Sequence, residues 1–179
     1  MRRPALLALA ALVALPPRLG LAEESLAHAM DFDFGKWQTH SSRLLHPLSG
    51  STDWKDMDGY TDVKPIWDGK GNIAEFKGDG PAGHVELIAI RTFDPGTNQW
   101  YLNFSHPNTG TIDVPAIGAM EDGKLVFYDQ ETLNGKRIWV RFSIWGISPD
   151  TAQSEQAFSA DAGRSWETNW INRYTRVKG

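Results

Sequence analysis

The sequence has no cysteine in its 179 residues. It can therefore form neither a disulfide framework nor a thiolate nucleophile, and an oxidising compartment would not change this. Stability must come from a packed core, and the roughly 157 residues that follow a predicted leader are enough to bury one. The eight tryptophans, an unusually high number, supply large flat apolar surfaces for such a core.

Helical periodicity is nearly absent. Only Glu23 to Met30 predicts a short N-terminal helix. The remainder alternates strand-like runs with turn residues at the short, regular spacing typical of a sandwich or barrel. The predicted strands are Lys36–Leu45, Asp53–Trp67, Asn72–Lys77, His84–Phe93, Trp100–His106, Val114–Met120, Lys124–Thr132, Arg137–Ile147, Ala152–Ser159 and Ser165–Arg176.

The connections between these runs are short and carry turn chemistry. Asn134-Gly135 is the type I′ hairpin dipeptide, and Glu121-Asp122-Gly123 supplies the residues of another tight turn. Ser159 to Trp166 matches the Asp-box pattern Ser-x-Asp-x-Gly-x-x-Trp once, which predicts a structural hairpin turn rather than sugar hydrolysis. Short connections favour antiparallel neighbours, so the chain predicts one all-β domain, a single up-and-down barrel of about 8–10 strands.

Residues 1–22 have the pattern of a secretory signal peptide, with the barrel domain following at 23–179. Arg2 and Arg3 precede an apolar run that is too short to span a bilayer, and Gly20-Leu21-Ala22 offers a cleavage site. Pro4, Pro16 and Pro17 bracket the run and argue against a buried helix. We therefore expect a periplasmic or secreted protein.

Acidic residues outnumber basic ones beyond that leader. Its removal would lower the net charge from −4 to −7, because it carries three arginines and no acidic residue. A strongly acidic chain is a poor partner for nucleic acid or for an anionic membrane. A small-molecule ligand is the expected partner, and the oligomeric state is left open, a homodimer included.

The sequence also lacks the motifs of common catalytic and metal sites. Its five histidines show neither His-x-His nor His-x-x-x-His spacing, and no Gly-x-Ser-x-Gly is present. We predict no metal and no cofactor. Haem ligated by His106, at the end of a predicted strand, is the less favoured alternative.

Several motifs resemble those of a known family. Gly35-Lys36-Trp37 is similar to the Gly-x-Trp signature of lipocalins and their calycin relatives, in which the tryptophan closes one end of the barrel. That likeness implies an arginine of the last strand, Arg173 or Arg176, above the ring. Over residues 31–176 the chain resembles bacterial lipocalin-like proteins known as a domain of unknown function, which implies a calycin-type barrel but no established activity. The motifs that carry this second resemblance are Asp31-Phe32-Asp33-Phe34, Arg91-Thr92-Phe93-Asp94-Pro95, Glu155 to Asp161, and Trp166 to Trp170.

Successive side chains of a strand alternate between its two faces, and for two strands the sequence does not decide which face points into the barrel. In Arg137–Ile147 either the aliphatic face (Ile138, Val140, Phe142, Ile144) or the face with Trp139, Arg141 and Trp145 could point inward; the aliphatic face is favoured. Arg43 shares a face with Trp37, where it would need a carboxylate partner from the protein or from a ligand.

Two functions are carried forward. The favoured one is an exported barrel that binds a small apolar or aromatic molecule, with or without an acidic group, and its candidate ligand-binding residues are Arg43, Tyr101, Trp139, Arg141, Trp145, Gln156, Asn169 and Trp170. The alternative is a cofactor-independent lyase, isomerase or hydratase acting on such a molecule, with Arg43, Glu75, Tyr101 and Glu155 as candidate catalytic residues.

Overall fold

The computed structural model describes residues 26–81 and 83–178, so the predicted signal peptide lies outside the described residues. Ten antiparallel strands close into a barrel in which each strand pairs with its neighbours in sequence and β1 pairs with β10. The strands are β1 (Gly35–Leu44), β2 (Trp54–Ile66), β3 (Gly71–Gly80), β4 (Gly83–Asp94), β5 (Gln99–Ser105), β6 (Ala116–Glu121), β7 (Lys124–Leu133), β8 (Lys136–Ser148), β9 (Thr151–Ser159) and β10 (Glu167–Arg176).

All ten predicted strands are present, and their ends differ by a few residues from those expected. The predicted all-β meander is confirmed. It could be predicted because the alternation of side chains along a strand and the residue types of a turn are both local properties of the sequence. Closure adds what local patterns do not contain, the pairing of Trp37 with Arg176 and of Arg43 with Trp170 across the whole chain length. Closure also removes the free sheet edges that an open sheet would expose.

The expected N-terminal helix is not supported. Among the described residues no helix reaches seven residues: Leu26 and Ala27 are helical, residues 28–30 form a turn, and Asp31–Asp33 forms one 3₁₀ turn, while positions 23–25 of the expected helix lie outside the described residues. The reason is tertiary packing, since Met30 is fully buried and the Leu26 carbonyl accepts a 3.0 Å hydrogen bond from the Trp100 indole. Within residues 26–81 and 83–178, no helix is long and apolar enough to cross a membrane.

Trp37 closes one end of the barrel. Its side chain is 1% exposed, and its indole nitrogen donates a 2.8 Å hydrogen bond to the Asp33 carbonyl. The Arg176 guanidinium lies 4.0 Å from the Trp37 ring centroid and donates to the carbonyls of Phe34 and Phe32 at 2.6 and 2.7 Å. The arginine above the ring is therefore Arg176, while Arg173 is exposed. We call this the closed end.

The Asp-box hairpin between β9 and β10 forms as its motif predicts. Both carboxylate oxygens of Asp161 are used, one accepting from the Ser165 backbone amide at 2.9 Å and the other from the Ser165 hydroxyl at 2.7 Å. These bonds, together with the one donated by the Ser159 hydroxyl, lower the pKa of Asp161 to about 2. Trp166 then packs over the outer face of the sheet, with its ring centroid 6.1 Å from that of Tyr128.

The interior is filled at the closed end and open at the other. Trp37, Met30, Trp100, Leu102 and Phe127 are almost completely buried there. At the opposite end, where β1 finishes and β10 begins, the side chains diverge and leave a cavity. The half of the barrel at the closed end is therefore packed with side chains, and the other half, called the upper half below, contains the cavity.

Candidate functional site

The cavity has a volume of about 430 Å³ and lies in the upper half of the barrel. Its walls combine aromatic and aliphatic side chains with a comparable share of polar and charged ones, and the aromatic and aliphatic part comes from inward-facing positions of β3, β4, β5, β8, β9 and β10. The main wall residues are Phe76, Leu87, Phe104, Phe142, Phe158 and Trp170. The size is that of small-molecule pockets, and the lining is more polar than is usual for them.

The floor of the cavity is formed by a buried charge pair. Arg91, on β4, donates a 2.7 Å hydrogen bond to the Asp33 carboxylate, and both side chains are at most 5% exposed. The same Arg91 nitrogen donates to the Asn72 side-chain oxygen at 3.1 Å. Burial raises the pKa of Asp33, and the charges of Arg91 and Arg176 oppose that rise.

A chain of polar side chains runs from this floor up one side of the cavity. The Tyr174 hydroxyl is 2.8 Å from that of Ser154, which also accepts from the Asn172 amide at 3.0 Å. Asn172 in turn accepts from the Ser41 hydroxyl, and the Trp170 indole approaches Ser41 at 3.4 Å. Burial raises the pKa of Tyr174 to about 12, so this hydroxyl keeps its proton at neutral pH.

The mouth of the cavity has charges of both signs. Arg43 lies at the end of β1, with its guanidinium 4.9 Å from the Trp170 ring centroid, and within the described chain it forms no ion pair with a carboxylate. Glu131 and Asp113 also line the cavity. Partial burial, followed by the charges of Asp129 and Asp113, raises the pKa of Glu131.

Three of the predicted ligand-binding residues line the cavity: Arg43, Gln156 and Trp170. Arg43 does share the face of Trp37, as expected, but it is exposed at the mouth instead of buried. Exposure explains why it needs no carboxylate partner from the protein. His106 also lies at the rim, and haem ligation there stays the less favoured alternative to the predicted absence of a cofactor.

Trp139, Arg141 and Trp145 do not line the cavity, which corrects their assignment as ligand contacts. The favoured aliphatic face of β8 points inward, with Ile138 and Ile144 at 3% and 1% exposure. The side chains of the opposite face lie outside the barrel and form cation–π contacts there. Arg141 lies 4.7 Å from the Trp166 ring, and the Lys124 ammonium lies 3.7 Å from the Trp145 ring.

Strand alternation also places Glu75, Tyr101 and Glu155 on the outer face. Tyr101 lies between Trp100 and Leu102, each 1% exposed and facing the core. Glu75 pairs with Lys77 at 3.0 Å, and Glu155 accepts from the Gln153 amide at 2.7 Å. Of the four candidate catalytic residues, only Arg43 therefore reaches the cavity.

Asn169 is displaced by a β-bulge. Thr168 pairs with Ala157 and Trp170 with Gln156, which leaves Asn169 without a partner in the register. The residue is 4% exposed and is absent from the described lining of the cavity. The bulge also explains why Trp166 packs outside while Trp170, of the same alternation, faces the cavity.

Sequence analysis did not identify the floor residues as a site. Asp33 and Arg91 are 58 positions apart, and no local pattern joins them. One signal was present: Arg91 has the same strand parity as Leu87, Ala89 and Phe93, so it interrupts an otherwise apolar face. Among the described residues, no three histidine or carboxylate side chains are grouped as a metal site would require.

Comparison with known proteins supports the fold. The S-type phycobiliprotein lyase from Guillardia theta is 13% identical, with a TM-score of 0.58 over 91% of this chain and 99% of that one. A redesigned β-barrel (11% identical, 84% and 96% covered) and a de novo fluorescence-activating barrel (14% identical, 84% and 98% covered) have TM-scores of 0.45 and 0.43. No family model and no curated protein matches the sequence. The likeness to the lyase extends to the ten-stranded, lipocalin-like barrel and shows the fold alone.

Proposed function

We propose that this protein is an exported barrel that binds a small, largely apolar or aromatic molecule in its upper half. The observation that carries the proposal is the cavity of about 430 Å³, whose aromatic walls lie between a charged floor and a mouth with Arg43. A packed barrel would fill this space with side chains.

The walls favour a flat ligand. Phe104 and Phe142 meet edge to face at a centroid distance of 5.9 Å, and Trp170 adds an indole whose ring is held by Arg43. Such surfaces offer offset and edge contacts to another ring, in addition to the gain from removing apolar area from water. A ligand with one or two rings would suit both the volume and the shape of these walls.

An acidic group on the ligand would be held at the mouth by Arg43. Its guanidinium lacks a carboxylate partner among the described residues and is fixed in position over Trp170. Glu131 and Asp113 place negative charge elsewhere on the rim, so a ligand acid would be repelled from them and directed toward Arg43. The pair would stay partly hydrated and so contribute modestly to affinity.

The similar barrel from Guillardia theta is a phycobiliprotein lyase, which makes a lyase activity compatible with this architecture. For this chain the lyase, isomerase or hydratase alternative has less support. Glu75, Tyr101 and Glu155 lie outside the barrel, and the Tyr174 phenol holds its proton too strongly to act as a base near neutral pH. Binding is the function that the geometry favours.

Binding can be tested with the protein lacking residues 1–22, titrated with aromatic acids, fatty acids and isoprenoids while tryptophan fluorescence is recorded. We expect quenching by at least the aromatic class and its loss in Trp170→Phe, because among the tryptophans of the described chain this one lines the cavity. Trp67→Phe, on an exposed side chain, is the matched control and should leave the quenching unchanged. The absence of quenching by every class would contradict the proposal.

The role of Arg43 can be separated from that of the walls. In Arg43→Gln we expect an aromatic acid to bind about 3- to 10-fold more weakly, with the neutral analogue unaffected, since a partly exposed ion pair is of modest strength. Arg173→Gln removes an exposed arginine from β10 and serves as the control. Equal losses for the acid and its neutral analogue would mean that Arg43 acts only by positioning Trp170.

The location outside the cytoplasm rests on the pattern in residues 1–22 and can be tested by itself. Those residues fused to a reporter that is active only after export should give activity, and the same fusion with Arg2 and Arg3 replaced by Glu should reduce it. Activity that is independent of this segment would contradict the predicted location.

A further inference from the structure

Gln156 places an unpaired carboxamide in the wall of the cavity. It lies on β9 between Ser154 and Phe158, which are 0% and 9% exposed, so strand alternation turns its side chain to the inside of the barrel. The residue is partly exposed and lines the cavity, so a molecule in the cavity can reach it. Within residues 26–81 and 83–178 its side chain forms no hydrogen bond.

The polar side chains nearest to Gln156 in the sheet are bonded to one another. The Ser154 hydroxyl is 2.8 Å from that of Tyr174 and accepts from the Asn172 amide at 3.0 Å. Asn172 in turn accepts from the Ser41 hydroxyl. The carboxamide of Gln156 is therefore left to the contents of the cavity, whether water or the bound molecule.

An aromatic ring stands on each side of this carboxamide. The register pairs Gln156 with Phe142 on β8 and with Trp170 on β10, and both rings line the cavity. Side chains that are directly opposite on neighbouring strands have their Cβ atoms about 5 Å apart, so the three are in one row of the wall. A flat molecule whose edge meets the carboxamide has a ring surface available on either side.

The charge around this row limits what the edge of that molecule can be. Asp113 and Glu131 line the same cavity, and Asp129 lies two residues before Glu131 on β7. Partial burial, followed by the charges of Asp129 and Asp113, raises the pKa of Glu131, so this side of the cavity already resists added negative charge. Gln156 has no net charge to offset an anion. An uncharged edge is therefore favoured over a carboxylate.

A carboxamide has one acceptor oxygen and one NH₂ donor group in the same plane. A partner that satisfies both in one planar contact has a C=O and an N–H side by side, as an amide does. We infer that Gln156, with Phe142 and Trp170 beside it, is a subsite for a flat cyclic amide, a lactam. The lactam oxygen accepts from Nε2 of Gln156, and the lactam N–H donates to Oε1. This inference rests on the proposed function and adds the chemical class of the ligand.

The sheet register also orients the ligand. Trp170 pairs with Gln156 on one side and with Arg43 on the other, so Gln156 and Arg43 are two strands apart. At about 4.8 Å per strand, their backbones are separated by about 10 Å. The ring system then spans Trp170, with the lactam edge on Gln156 and any acidic group toward Arg43.

Three bicyclic probes of similar size test the subsite: 2-quinolone, 1-methyl-2-quinolone and 2-methylnaphthalene. The first has both lactam groups, the second lacks the N–H, and the third has neither. Their dissociation constants are measured by calorimetry and by quenching of Trp170 fluorescence. Each probe is compared between the wild-type protein and Gln156→Leu, so that differences in hydration among the probes cancel.

We expect Gln156→Leu to weaken 2-quinolone about 10-fold, because two hydrogen bonds are lost. The loss for 1-methyl-2-quinolone should be about 3-fold, and 2-methylnaphthalene should bind equally well or more tightly. Gln153→Leu is the matched control. It removes a glutamine of the outer face of β9, bonded to Glu155, and should leave all three affinities unchanged.

Nuclear magnetic resonance gives a second readout that needs no substitution. With 2-quinolone bound to the wild-type protein, a nuclear Overhauser effect should connect the quinolone N–H with the side-chain NH₂ protons of Gln156. A change in the shape of the wall alone would not produce this contact. The measurement therefore tests the inference even where a variant fails to fold.

The outcomes separate this inference from the function on which it rests. Failure of all three probes to bind the wild-type protein would contradict the proposed function. Binding of 2-quinolone without the Overhauser contact would show that water occupies the carboxamide and would overturn the subsite alone. Equal losses for all three probes in Gln156→Leu would also overturn it, because Gln156 would then act only through the shape of the wall.

Discussion

The two ends of the barrel are built from the same ten strands but differ in how their polar groups are satisfied. At the closed end Trp37, Arg176 and the Phe32 and Phe34 carbonyls satisfy one another in a closed set of contacts. At the open end Arg43 has an aromatic ring and, within residues 26–81 and 83–178, no carboxylate partner, and Glu131 has a raised pKa beside the cavity. Arg43 and Glu131 therefore lie at the open end as charged groups without an ion-pair partner among the described residues.

This difference suggests a division of roles. The closed end contains most of the largest fully buried side chains, and its contacts bring the start and end of the chain together. The open end contains a cavity where a packed core would have side chains, so dispersion contacts and apolar burial stabilise it less. Substitutions at the closed end should thus change the free energy of unfolding, and those at the mouth should mainly change binding.

The largest effect is expected at the boundary between the two ends. Asp33→Ala leaves the buried Arg91 charge without its carboxylate and should lower the free energy of unfolding by about 3–5 kcal/mol. Glu75→Ala breaks an exposed pair with Lys77 and should cost at most about 1 kcal/mol. Urea denaturation of both variants gives the comparison, and similar losses would show that the floor pair is not stabilising.

A smaller effect is expected at the closed end itself. Trp37→Phe removes the indole donor to the Asp33 carbonyl and part of a fully buried ring, and should cost about 1–3 kcal/mol. Trp67→Phe, 68% exposed, should change stability by no more than about 0.5 kcal/mol. Thermal and urea unfolding measure the difference, and a neutral Trp37→Phe would disprove the role assigned to this ring.

The smallest effect is expected at the open end and depends on pH. Because the folded-state pKa of Asp161 is lowered to about 2, its contribution is fully present above the unfolded value near 4 and is lost as pH falls from about 4 to about 2. Wild-type protein should therefore lose its stability advantage over Asp161→Asn across that window. Asp122→Asn, in another exposed turn, is the control, and an advantage that persists at pH 2 would contradict the assignment.

The fold was largely predictable because its determinants are local. Alternation around Trp37, the Asn134-Gly135 turn and the Asp-box all act within a few residues, and they placed every strand. The failures arise where tertiary contacts decide. The chain leaves the helical conformation after Ala27, beside Trp100, instead of continuing a helix to Met30, and a bulge at Asn169 shifts the alternation of the last strand.

The site was less predictable because its groups meet only on closure. Gln156 and Trp170 could be selected as polar or aromatic members of inward faces, and both line the cavity. Trp139 and Trp145 were equally plausible by residue type, but their face is covered by partners from elsewhere in the chain, Lys124 among them. The floor depends on Asp33 and Arg91, whose pairing no strand pattern encodes.

The pairing of β1 with β10 has a practical consequence for attachment of the protein to a surface. The Val177 amide donates to the Lys36 carbonyl at 2.8 Å, so the chain enters and leaves the barrel side by side, close to Arg176. A linker or immobilisation tag joined after Lys178 would hold the barrel by its base and leave the mouth facing away. Binding measured on such a sensor chip would then be unobstructed by the support.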